Sequence, residues 1–342
     1  MGAPGPLNRI TDIPGLLVGQ AADEAVRSGV SVILADKRFA ASVDCRGGAP
    51  GTRETDLLRP EAMMPEIDAL CLAGGSAFGL DAASGVVHAL ARQGKGFAMA
   101  QLRVPIVPAA ILFDLMNGGN KDWPEESPYR RLGIAACGEA RADFALGNAG
   151  AGFGAAAGRI KGGVGSASWV SDDGLIVGAY VAVNAVGSVL TPGNRAFWAA
   201  PWEQAWGEQG WEFGGLGVDT QTGALDHELA AEGRIAGHTC IGAVATNARL
   251  DKSCLRHIAT MAHDGLARAI RPVHTPFDGD TIFSLSLPSW QGQPDDTALL
   301  PRLVARIGSI AADCLARAVA RGVWEAEPLG ALPAAKQILQ RV

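Results

Sequence analysis

Several ingredients are scarce in this sequence, and each scarcity excludes something. Charged residues make up only 19% of the chain and sum to −6, and no basic stripe interleaves with aromatics, which excludes nucleic-acid binding. The six cysteines (Cys45, Cys71, Cys137, Cys240, Cys254 and Cys314) contain no C-x-x-C pair and read as small buried hydrophobes of a reducing compartment. His257 and His263 lie six apart on one expected helix without sharing a face. His88, His227 and His274 have no ligand spacing with them, so no metal site is expected. No apolar run is long and charge-free enough to span a bilayer. The start, Met1–Pro6, has no basic segment leading into an apolar one, so no secretory signal is expected; Pro6 also breaks a myristoylation pattern. Together these absences predict a soluble cytoplasmic protein with no membrane partner.

What the chain does have is apolar substance. At 342 residues and 48% hydrophobic it can bury a large core in one α/β unit. Its 45 glycines are scattered between apolar runs, which argues for many tight turns and close backbone contacts. Val30–Ala35 and Ile67–Ala73 read as strands. Gly74-Gly75-Ser76 follows, with Ser76 expected to cap a helix from Ala77 to Arg92. Residues 117–132 read as a polar loop around Pro124 and Pro128. A glycine-dense stretch from Gly147 to Gly165 precedes a strand at Gly178–Val186, and a long polar excursion, Thr191 to Gly237, leads into Gly237-His238-Thr239. From there the pattern is β-α-β-α: Cys240–Thr246, a helix Lys252–Ile270 capped by Asp251, an alternating strand Asp280–Leu287, and an amphipathic helix Thr297–Arg321.

One threonine carries the chemical interest. A threonine hydroxyl is a poor nucleophile unless a base sits beside it, and a chain-terminal threonine supplies that base as its own α-amine. Such an amine titrates near about 8, close to working pH. An internal Thr239 reaches that state by attacking the His238 carbonyl, turning the amide into an ester that water then cleaves. Read locally, however, Gly237 and His238 merely end a loop and Thr239 starts a strand.

Several segments together, in order and over most of the chain, resemble one family. They are Arg46-Gly47-Gly48-Ala49-Pro50-Gly51-Thr52-Arg53-Glu54-Thr55-Asp56-Leu57, Leu72–Leu80 around Gly74-Gly75-Ser76, and Lys161-Gly162-Gly163-Val164-Gly165. Val183-Asn184-Ala185-Val186-Gly187, Thr239 with its strand, and Arg271-Pro272-Val273-His274-Thr275-Pro276-Phe277-Asp278-Gly279-Asp280-Thr281 complete the set. The chain resembles the DmpA-like P1 aminopeptidases (peptidase family S58), which include β-aminopeptidases and nylon-oligomer hydrolases.

That resemblance implies an αββα four-layer sandwich of the self-cleaving, N-terminal-nucleophile type. It also implies a single domain, residues 1–342, cut into a 1–238 and a 239–342 fragment, and a homo-oligomer of α/β heterodimers, a tetramer. Thr239 matches the nucleophile and His238–Thr239 the self-cleavage site. Asn184 matches the asparagine that donates to the oxyanion, a role in which one donor lowers the barrier by about 2.7–4 kcal/mol. Within an apolar strand the same side chain can equally satisfy a neighbouring backbone group. Asp278 and Asp280 flank Gly279 and can face one site from an extended stretch, where paired carboxylates share a proton and orient the Thr239 amine; a solvated D-G turn is the plainer reading. Their identity resembles the nylon-oligomer hydrolases and related threonine-type members. Lys161 matches a lysine of those enzymes that supports charge, and as a residue of a glycine-rich turn it also reads as a surface lysine. Two positions depart from the pattern: Phe113 stands where the family often has tyrosine, and His238 where Asn or Gly is familiar.

The implied activity is hydrolysis of short peptides or amides bearing L-, D- or β-amino acids, without a cofactor, with nylon-type 6-aminohexanoate oligomers as a narrower substrate class. Two rivals keep the fold: an acyltransferase resembling the ornithine acetyltransferases, and a scaffold that never cleaves. A nucleotide-dependent enzyme is the third. Gly150-Ala151-Gly152-Phe153-Gly154-Ala155 fits G-x-G-x-x-A, yet no convincing strand precedes it and Lys161-Gly162-Gly163 leaves little room for a helix after it.

Overall fold

Strands whose residues are buried without alternation must be covered on both faces, and that condition organises this molecule. The computed structural model describes residues 2–123, 125–193, 196–204 and 238–339. Its main strands are β1 (Leu16–Asp23), β2 (Ser28–Cys45), β3 (Ile67–Ala73), β4 (Ala109–Ile111), β5 (Gly163–Ser171), β6 (Ile176–Val183), β7 (Ile241–Thr246) and β8 (Thr281–Ser286). The main helices are α1 (Asp81–Arg92), α2 (Tyr129–Gly138), α3 (Lys252–Ala269) and α4 (Leu300–Trp324).

The strands form one connected sheet system in the order β5-β6-β7-β8-β2-β3-β4, with β1 also paired to β2. The 18-residue β2 joins its two halves. The first part of β2 pairs with β1 and β3; its last residues, Ala40–Cys45, pair with β8. Between them the polar Asp36-Lys37 interrupts the apolar run, and the β2–β3 register shifts between Leu34 and Phe39. Such an irregularity bends a strand and lets it leave one sheet for another.

Three apolar cores separate four layers. Ile33, Leu70, Leu72, Tyr180, Ala182, Ile241 and Phe283 meet between the sheet halves. Val30, Val32 and Cys71 face α1 and α2 through Val86, Leu90 and Leu132. On the far side Val177, Val181 and Val244 face α3 and α4 through Leu255, Ile258, Ile307 and Leu315. The expected αββα sandwich is therefore present. Helix α4 lies so close to β5 that a Cβ on Gly165 would sit 1.8 Å from the Ala318 carbonyl oxygen, so glycine is required there.

Local expectations fared unevenly. Ile67–Ala73 and the β-α-β-α order after residue 239 match, and Asp251 caps α3 by accepting from the Cys254 amide at 2.8 Å. Helix α4 begins at Leu300, after a 3₁₀ turn over Thr297–Leu299, and the strand expected at Gly178–Val186 spans Ile176–Val183. Ser76 does not cap α1: it has φ +52° within a 3₁₀ turn, Ser76–Leu80, and the α-helix starts only at Asp81. The loop expected at 117–132 gives way to α2 at Tyr129, because Tyr129, Leu132 and Ala136 find an apolar partner in α1 and β3 that local sequence does not reveal. The part of the Thr191–Gly237 excursion beyond 204, including Gly237, lies outside the described residues. Among the described residues no helix is long and apolar enough to cross a membrane.

Candidate active site

Strand register brings the central residues of the site together. The antiparallel pair β6–β7 sets Ala182 against Ile241, so two residues further out Asn184 faces Thr239. The parallel pair β7–β8 sets Ile241 beside Thr281, so two residues earlier Thr239 lies beside Gly279. Both relationships are realised: the Thr239 amide donates to the Asn184 carbonyl at 2.5 Å, and the Gly279 amide donates to Thr239 Oγ1 at 3.1 Å. That same Gly279 amide donates to the His238 carbonyl at 3.2 Å, and the Thr239 hydroxyl also donates to the His238 carbonyl. The Thr239 hydroxyl oxygen and the His238 carbonyl thus share one backbone donor. Thr239 is only 4% exposed, so this contact is shielded from bulk water.

The loop after β2 closes the other side. Arg46, Gly48 and Ala49 amides donate to the carbonyls of Asp280, Thr275 and Asp278 at 2.9, 3.2 and 2.9 Å. This explains why the Arg46–Gly51 and Arg271–Thr281 motifs, 225 residues apart in their first members, belong to one feature.

The two acids do come together with Thr239, but they grip the backbone around it. Asp280 Oδ1 accepts from the Cys240 amide at 2.8 Å, and Oδ2 accepts from His274 Nδ1 at 2.7 Å and from the His274 amide at 3.2 Å. Asp278 Oδ2 accepts from the Thr275 amide at 2.9 Å and its hydroxyl at 2.6 Å, and Oδ1 faces the Val186 amide at 3.5 Å. Burial pushes the Asp278 carboxyl above the usual carboxylate range, and the nearby Asp280 charge adds to it. Neither acid is a solvated turn residue: both are buried.

Asn184 lies just past the end of β6 with its side chain oriented by two backbone groups. Its Oδ1 accepts from the Ala156 amide at 2.9 Å, and its Nδ2 donates to the Phe113 carbonyl at 2.9 Å. Phe113 therefore contributes through its main chain. Lys161 is fully buried, not a surface lysine, and its amine donates to the carbonyls of Gly152 and Gly162, each at 3.0 Å. Burial pushes its pKa down to about 7, against the opposing pull of Asp114. It reaches the site indirectly: Lys161 pairs with Ala156, whose amide holds Asn184. Cys240, the residue after Thr239, is poorly suited to act as a nucleophile, because complete burial and then the charges of Asp280 and Asp278 drive its thiol pKa well up.

Sequence reasoning missed Gly279, His274 and Thr275 as members of the site. All three lie in the quoted Arg271–Thr281 segment, but only the register of β7 and β8 shows what they touch. Chemically, the cluster offers a buried hydroxyl against a carbonyl, a donor aimed at both, and carboxylates that anchor the adjoining peptide. Such a donor stabilises negative charge where it develops on a carbonyl oxygen.

Comparison with known proteins gives the family of the chain. The profile of peptidase family S58 matches residues 8–335. An uncharacterized aminopeptidase of Mycobacterium bovis is 42% identical over 349 aligned positions, covering 96% of each chain. A 6-aminohexanoate-oligomer endohydrolase of a Kocuria species is 32% identical, covering 80% of this chain and 74% of its own. Among solved structures, the L-aminopeptidase D-Ala-esterase/amidase of Ochrobactrum anthropi, described as a variant of the Ntn-hydrolase fold, superposes with a TM-score of 0.65 at 19% identity. It covers 100% of this chain and 96% of its own.

Proposed function

Because this chain belongs to peptidase family S58 and is a hydrolase of the aminopeptidase kind, we propose that it is a self-processing N-terminal-threonine hydrolase of short peptides and amides. The observation that carries the reading is the Gly279 amide shared between Thr239 Oγ1 and the His238 carbonyl.

In the first step Thr239 Oγ1 attacks the His238 carbonyl carbon. The oxyanion forms on the oxygen that already accepts the Gly279 N–H. As the adduct collapses the C–N bond breaks, the proton lost by Oγ1 passes to the departing nitrogen, and the acyl group is left on Oγ1 with the Thr239 nitrogen a free amine. Water hydrolyses the ester, releasing a carboxylate on His238 and a free Thr239. The fragments 1–238 and 239–342 stay associated, since β7 and β8 of the second are inserted between β6 and β2 of the first.

Substrate turnover repeats the chemistry. The neutral Thr239 amine takes the hydroxyl proton, Oγ1 attacks the substrate carbonyl, and the resulting ammonium returns a proton to the leaving amine. Asn184 and the Gly279 amide serve the oxyanion, and water cleaves the acyl ester. Asp278 and Asp280 keep the amine and the following peptide in place, and Lys161 supports the local charge through the strand that holds Asn184. No cofactor or metal takes part. Substrates carry a free N-terminal amine, with L-, D- or β-amino acids as the acyl group, and the enzyme works as an oligomer of cleaved heterodimers. A second reading, hydrolysis of 6-aminohexanoate oligomers, is favoured by the Kocuria relative and by the Asp278/Asp280 pair.

Intact-mass measurement tests the core of this. Wild type should give two masses divided at 238/239, and Thr239→Ala one mass without activity. An unbroken but fully active wild-type chain would overturn the reading. A panel of aminoacyl p-nitroanilides against 6-aminohexanoate oligomers then separates the substrate classes.

A further inference from the structure

His274 occupies a position that the chemistry above does not use. Its φ of +58° puts it in the left-handed region, uncommon for a residue with a side chain. The consequence is that its backbone N–H and its ring Nδ1 converge on one atom, Asp280 Oδ2, at 3.2 and 2.7 Å. With Asp280 as a carboxylate, which can only accept, the ring contact places the proton on Nδ1. The ring is braced from behind by His263 of α3, with centroids 4.9 Å apart in an edge-to-face arrangement. His263 is itself buried and neutral: burial drives its pKa down to about 4, and its Nε2 donates to the Asp44 carbonyl at 3.0 Å.

Among the described residues the charged groups around the pair are few. From β2, Asp44 approaches His263 at 3.7 Å and is held by Arg46 at 2.7 Å and by Arg256 of α3 at 2.8 Å. Cys45 lies beside Thr281. Asp278 and Cys240 lie near Asp280 on the remaining side. Arg46 and Arg256 therefore face Asp44, and among the described residues His274 is the side chain that hydrogen bonds to the Asp280 carboxylate.

We propose that His274 is a positioning residue for acyl transfer: by filling Oδ2 of Asp280 with two donors it fixes the other oxygen on the Cys240 amide, and so fixes the peptide that follows Thr239. This inference rests on the N-terminal-threonine reading.

The test uses the full-length enzyme with His274→Leu, which keeps bulk and removes the donor, and His274→Asn, whose amide can replace Nδ1–H. Precursor cleavage is followed by intact mass, and kcat and KM are measured across pH on an aminoacyl p-nitroanilide. His274→Leu should lose about 10- to 100-fold in kcat with KM little changed, the scale expected when a reacting group is misplaced. Its acid limb should move to higher pH, because a carboxylate pair robbed of a donor holds its proton more tightly. His274→Asn should recover most of both. If His274→Leu arrests self-cleavage, the cleavage rate becomes the readout, with the same recovery expected in His274→Asn. An unchanged rate and acid limb in His274→Leu, or equal impairment of both variants alongside equal loss of Tm, overturns the proposal. Thr239→Ala is run in parallel: turnover by that variant sinks the nucleophile reading, whereas an inactive Thr239→Ala beside a normal His274→Leu sinks only the role given to His274.

Discussion

The Gly279 amide hydrogen bonds to the Thr239 hydroxyl oxygen at 3.1 Å, and no other residue type fits where Gly279 stands. A Cβ there would lie 2.8 Å from Thr239 Oγ1 and 2.5 Å from the Ala49 carbonyl oxygen, both inside van der Waals contact. Gly279→Ala should therefore accumulate as uncleaved chain on a denaturing gel while remaining folded by circular dichroism. Wild-type rates of cleavage in Gly279→Ala would remove this amide from the chemistry.

Asn184→Ala removes a proposed oxyanion donor and should lower kcat by about 10²- to 10³-fold. It also strands the Ala156 amide and the Phe113 carbonyl, which Asn184 bridges. An unsatisfied buried group costs about 1–3 kcal/mol, so a thermal melt should show a lower Tm. A variant that loses Tm but keeps kcat would make Asn184 purely architectural.

Asp278→Asn separates stability from function. Because burial raises the Asp278 pKa in the folded state, the folded chain holds the proton more tightly than the unfolded chain. Stability is then greatest below the ordinary carboxylate pKa and falls as pH rises through the raised one. Asparagine mimics the protonated form, so the variant should melt higher than wild type at pH 7, show a flatter acid-side dependence of Tm, and be inactive. A lower Tm at neutral pH would contradict this.

Lys161 has the opposite sign. Its folded pKa is about 7 against an ordinary 10.5, so between those values the unfolded chain binds the extra proton and stability rises with pH. Below pH 7 the penalty is fully present. Wild type should gain Tm between pH 7 and pH 9, and Lys161→Met should lose that slope. Equal slopes in scanning calorimetry of both proteins would refute it.

How much of this could be read from residues alone follows from the range of the interactions. Asp251 and the apolar spacing from Leu255 to Leu266 act within a few residues, and α3 lies where they indicate. Tyr129, Leu132 and Ala136 need α1 and β3 to become a buried face, so α2 was hidden behind Pro124 and Pro128. Ser76 fails as a cap for a similar reason: the Gly75 amide is taken by the distant Asp114 at 2.8 Å, which shapes the turn before α1. Lys161 in its glycine-rich turn gives no local hint of complete burial.

By itself the sequence determined the strands and helices of the 239–342 segment, the family through its ordered motifs, and Thr239 as the residue of interest, because these depend on local pattern and residue identity. Tertiary structure alone decided that Gly279 rather than either flanking acid touches the Thr239 hydroxyl, that the acids hold the Cys240 and Thr275 backbone, and that His274 meets Asp280. The physical reason is register. A one-residue slip in the pairing of β7 with β6 or β8 would exchange every one of these partners, and that register is set by burial across three cores, not by any residue in the motifs.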